Sequence, residues 1–125
     1  MGQNAYVSKS NQPDEVTHRI RLLGVNGADP TEQTGGGGVA SDRTGEGVYT
    51  LTFDENPGTF VGWTYGFGAA TPADLKGYTA VRDTWDATNR IFTFIVYDST
   101  FTAADIIADQ YIDVNVTFKR TNVEG

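Results

Sequence analysis

Few side chains in this 125-residue sequence have the type and spacing that chemistry requires. His18 is the single histidine, and there is no cysteine. A general base needs an orienting carboxylate, and a serine nucleophile needs its elbow; no G-x-S-x-G occurs. One histidine without thiolates cannot assemble an ordinary zinc site. Beside a polar N-terminal stretch, His18 reads as a strand-edge residue. The acidic residues are the remaining route to catalysis. Asp83 with Asp86, or a pair drawn from Asp105, Asp109 and Asp113, has the composition of a glycosidase dyad, which must flank a sugar-binding cleft. Most of these positions fall in turns or on outward strand faces, where solvated roles are expected. Asp98-Ser99-Thr100 and Asp105 with Asp109 offer oxygens to calcium, yet the glycine and terminal glutamate of an EF-hand loop are missing. Turn formation is the expected role there. The residues therefore point to a protein that is not an enzyme and uses no metal or cofactor.

Two further patterns concern binding. Gly35 to Gly38 lacks the following Lys-Ser/Thr and helix of a phosphate loop, so it reads as flexible chain. Trp63, Tyr65, Phe67 and Trp85 have the makings of a sugar-stacking platform, but aromatics at strand spacing more often face a core, and Trp63 and Tyr65 are expected to be largely buried. Asn115-Val116-Thr117 matches a glycosylation sequon in mid-strand and is discounted for that reason.

The elements that must position these residues are strands. Apolar residues recur with a period of two, punctuated by Gly, Pro and Asn. Candidate strands cover 17–23, 39–43, 48–54, 59–68, 78–86, 90–97 and 110–119. Tyr49, Leu51, Phe53, Phe92, Phe94, Val96, Ile112, Val114, Val116 and Phe118 form the expected core. Along 59–68, Val61, Trp63, Tyr65 and Phe67 share one face in strict alternation. The strand at 90–97 is apolar on both faces and is expected to be central. Short helical turns are expected near 72–77, from Thr71-Pro72 and Gly77, and near 102–108. The stretch 24–38 is long for a loop inside a compact domain and is expected to be adaptable. These readings give an all-β domain, an antiparallel sandwich or jelly roll of about seven strands over 17–120. A polar N-terminal arm precedes it at 1–16 and a flexible tail follows at 121–125.

Charge narrows the partners. Nine Lys and Arg against sixteen Asp and Glu leave a net charge of −7. Phosphate backbones and anionic membranes both call for clustered basic residues, so neither nucleic acid nor a membrane surface is expected as a partner. No apolar run reaches the roughly 20 residues that span a bilayer. Met1 to Ser10 lacks the apolar stretch of a secretory signal, and Tyr6 stands where a myristoylation motif wants Ser or Thr.

The aromatic-glycine strand at 59–68, the A-T-P-A-D-L-K-G turn within 69–77, the Y-D-S-T-F segment and the final Y-I-D-V-x-V-x-F strand together resemble small structural proteins of tailed bacteriophages. The resemblance covers about residues 17–119. It implies a virion protein of the capsid cement or decoration type, made in the host cytoplasm and placed on the capsid surface. It further implies a β-sandwich or jelly roll that assembles as a homotrimer on the major capsid protein or another virion protein. No catalytic residue carries over. The arm, through Tyr6, Val7 and Pro13, and the long loop, through Asp29, Pro30 and Glu32, are the expected partner contacts. The rival expectation is a carbohydrate-binding module or receptor-binding head.

Overall fold

The computed structural model describes residues 15–34, 38–71 and 77–119. The described residues form eight strands: β1 (Glu15–Leu23), β2 (Thr31–Thr34), β3 (Val39–Gly45), β4 (Val48–Phe53), β5 (Thr59–Ala69), β6 (Thr79–Asp86), β7 (Ile91–Tyr97) and β8 (Gln110–Lys119). They make two four-stranded sheets, ordered β2-β1-β8-β5 and β3-β4-β7-β6, and every pairing is antiparallel. The architecture is all-β and sandwich-like, with the inward side chains of the two sheets meeting in one core.

Strand β8 shows how the alternation does this. Ile112, Val114, Val116 and Phe118 are fully buried while Tyr111, Asp113, Asn115 and Thr117 turn outward. On the other sheet Tyr49, Leu51, Phe53, Phe92, Phe94 and Val96 are buried, as expected. Aromatic rings join the layers: Phe118 lies 5.3 Å from Phe53 and 4.9 Å from Trp85, and Trp63 lies 5.2 Å from Phe92. Each buried ring among these, Phe53, Phe92 and Phe118, contributes roughly 1.5–3 kcal/mol through removal from water. Ile20, Leu22, Ala80 and Ile106 complete the buried set.

Several expectations need correction. There are eight strands among the described residues, not seven, because the stretch 24–38 contains β2. Strand β1 begins at Glu15, where pairing with Lys119 extends it two residues before the apolar alternation starts. Residues 102–108 are not helical. Their backbone groups find tertiary partners instead: Ala104 N–H donates to Val96 O, and Ile106 N–H donates to Tyr49 Oη at 3.0 Å. That anchoring drops Ile106 into the core, with Gly47 beneath the loop. Gly47 has φ +74°, and a Cβ there would stand 2.7 Å from Ala104 N, so no larger residue fits the approach. The helical turn expected near 72–77 falls largely on 72–76, outside the described residues. The arm contacts Tyr6, Val7 and Pro13 lie outside them as well.

Candidate functional site

The outer face of the first sheet carries a groove, and cross-strand register builds it in rows. Thr117 of β8 lies between Thr17 of β1 and Gly62 of β5, Asn115 between Arg19 and Thr64, and Asp113 between Arg21 and Gly66. Between β1 and β5 these rows enclose an open groove of about 650 Å³, lined by Glu15, Thr17, Arg19, Thr64, Asn115 and Thr117 among others. The row members bond to each other. Thr17 and Thr117 hydroxyls lie 2.8 Å apart, Asn115 Nδ2 donates to Thr64 Oγ1 at 3.3 Å, and Arg21 grips Asp113 with Nε at 2.6 Å and Nη2 at 3.0 Å. The Arg21 guanidinium also stacks 4.1 Å from the Tyr111 ring centroid. Tyr111 can lie across β5 because residue 68 is glycine; a Cβ there would overlap its ring.

A bulge re-aims the β5 side chains. Phe60 pairs with Phe118 but Gly62 pairs with Thr117, which leaves Val61 as the extra residue. Strict alternation therefore fails at this point. Phe60 joins Trp63, Tyr65 and Phe67 on the inward side, and Val61 points away with half its surface exposed. Trp63 is half-buried against Phe92 and Phe94, whereas Tyr65, near the sheet edge, is 38% exposed and not largely buried. Trp85 packs on Phe53 and Phe118. The four aromatics thus form no common outward platform.

The acidic residues are dispersed to separate tasks. Asp86 accepts from Thr88 N, Asn89 N and Asn89 Nδ2, and the Asn89 side chain is the chief reason its carboxyl titrates below the usual range. Asp98 accepts from Thr100 Oγ1, Thr100 N and Thr102 N, and the Thr100 hydroxyl chiefly lowers its pKa. Asp105 sits between the β3–β4 hairpin and the Ile106 loop, accepting from Arg43 Nε at 2.9 Å and Gly47 N at 2.7 Å. Desolvation alone acts to raise the Asp105 carboxyl. The Arg43 and Gly47 bonds, with the Arg43 charge, outweigh it and hold the group below its ordinary value. Asp113 of β8 is held by Arg21 of the neighbouring strand β1. Asp83 is the extra residue of a second bulge, in β6. His18 lies before the Ile20–Leu23 stretch of β1 that pairs with β2, and it faces inward beside the Phe53 and Phe118 rings, 5.0 and 5.8 Å away.

The loop residues singled out from the sequence bind the chain to itself. Asp29 Oδ1 accepts from Arg43 N, Pro30 O accepts from Ser41 Oγ, and Glu32 Oε2 accepts from both Ser41 N and Ser41 Oγ. They tie β2 of one sheet to β3 of the other. Phe101 was missed by periodicity because it sits alone in a turn. It has φ 65° and 75% exposure, with its ring edge-on to Tyr97 at 5.4 Å. No metal-holding cluster of His, Cys, Asp or Glu occurs among the described residues. Compared with known proteins, the chain matches no family model, no curated protein and no solved structure.

Proposed function

We propose that this chain is a non-enzymatic virion structural protein, of the capsid cement or decoration class, that attaches to the major capsid protein or another virion protein at the capsid surface. The observation that carries the reading is the use of its carboxylates. Asp86 and Asp98 close turns, Asp105 clamps a loop on a hairpin, and Asp113 braces Arg21. Groups bound this way stiffen a scaffold, and a reaction centre would have to release them. The resemblance of residues 17–119 to tailed-phage structural proteins supplies the virion setting. A jelly roll is the finer form of the fold that goes with this class; pairing of β1 with β8 favours it, and the in-sheet hairpins β3–β4 and β6–β7 weigh against it. The test is capture on capsids that lack this protein. Saturable binding of the full chain supports the reading, and failure to bind capsids or any purified virion component refutes it.

A second reading rests on the outer-face groove, whose Arg19, Asn115, Thr64 and Glu15 present the donors and acceptors that sugar hydroxyls need. Glycan-array binding that is lost on Arg19→Ala, with the fold intact, would put this reading first.

A further inference from the structure

Strand β5 breaks the usual rules for a sheet edge. Among the described residues it pairs with β8 alone, so its other edge is open. Proteins ordinarily blunt such edges by shortness or charge. The other three edges comply: β2 has four residues, β3 carries Asp42 and Arg43, and β6 carries Arg82, Asp83 and Asp86 with a bulge. Strand β5 has eleven residues and no charge, and its one bulge, at Val61, lies near its start and leaves the regular stretch from Gly62 to Ala69. Two of its residues, Val61 and Tyr65, are among the exposed large apolar side chains of the fold.

The glycines of β5 add an independent observation. Glycine within a strand costs stability and often marks the close approach of another backbone. A Cβ at Gly62 or Gly66 would meet nothing within 4 Å; Gly62 adjoins the Val61 bulge, while nothing described within the single chain requires Gly66. They flank a segment, Gly62-Trp63-Thr64-Tyr65-Gly66, that reads nearly the same in both directions about Thr64. Backbone geometry suits this centre. Ala70 N–H donates to Asp109 O, so alternation turns the N–H and C=O groups of Phe67, Tyr65 and Trp63 toward the open edge.

We propose that two copies of this chain pair antiparallel through β5, across a two-fold axis at Thr64. Thr64 then opposes its own counterpart, Trp63 opposes Tyr65 of the second copy, and Gly62 opposes Gly66. Aromatic pairs and Thr–Thr pairs are favourable cross-strand neighbours. Each copy carries −7, so a neutral strand is where two of them approach with least repulsion. The contact is isologous and closes as a dimer, in place of the trimer that the phage resemblance implies, and it does not depend on the virion reading. One strand pair is small beside the roughly 1,200–2,000 Å² of a standard interface, so association should be concentration-dependent.

The experiment is native mass measurement of the full chain over a dilution series, with Thr64→Lys and Thr64→Asp beside the wild type. Thr64 is exposed, so both variants should keep the wild-type circular dichroism spectrum and melting temperature. The wild type should pass from monomer to dimer. Each variant should weaken the dimer about fivefold, the effect of like charges directly opposed, and an equimolar mixture should recover a mixed dimer. Amide exchange at Trp63, Tyr65 and Phe67 should slow as wild-type concentration rises. A trimer, a wild type that stays monomeric or pairs only with another protein's strand, or a dimer indifferent to both variants would overturn the proposal. So would a mixture that fails to recover the dimer.

Discussion

Tyr49 of β4 holds the 102–108 loop through one oxygen. Burial foremost pushes its phenol up to about 12, so it stays protonated at neutral pH while Oη accepts from Ile106 N–H. Tyr49→Phe leaves that buried amide without its partner and should cost about 1–3 kcal/mol in urea unfolding. Asp105, on the same loop, sets a pH dependence. Its folded pKa lies below the ordinary value, near 3.9 in an unfolded chain, so the stabilisation is present above that pH and is lost as pH falls through the folded value. Asp86 and Asp98 shift the same way. The melting temperature should therefore fall on acidification below about pH 4, and Asp105→Asn should flatten part of that fall.

At the scale of elements, β7 and the 102–108 loop carry the second sheet. Strand β7 is flanked by β4 and β6, and Phe94 on it is fully buried against Tyr49 and Trp63. Phe94→Ala should cost about 3–5 kcal/mol in chemical denaturation, since neighbouring strands cannot close on the void. Ile106 plugs the same core from a loop. Ile106→Ala should cost about 2–5 kcal/mol, a core-sized penalty that a surface loop residue would not show.

For the whole molecule, attachment and metal independence are the properties to measure. Deleting residues 2–14 stops short of Glu15, whose pairing with Lys119 opens β1. The shortened chain should keep the parent melting temperature while binding capsids more weakly. Equal binding would shift attention to the described surfaces, the β5 edge first. EDTA should leave the melting temperature unchanged, because a metal held only by the folded state would stabilise it by mass action.

The sheets were legible along the chain because inward and outward residues alternate without interruption in β4, β7 and β8. There, Tyr49 to Phe53, Phe92 to Val96 and Ile112 to Phe118 announce both the strand and its buried face. The period of two is local, set by backbone pleat and burial, so the sequence alone determines it. Legibility ended where a local pattern had a distant partner. The four-residue β2 has no alternation to read and exists by pairing with β1. The bulge at Val61 shifts register against β8, which no local count of residues reveals. The 102–108 loop gave up helical bonds for Tyr49 and Val96 across the fold. The outer-face groove and the open edge of β5 follow from strand order, which is decided only when the eight described strands choose neighbours together. Composition showed that the chain would build sheets; tertiary packing decided which strands stand at their edges among the described residues.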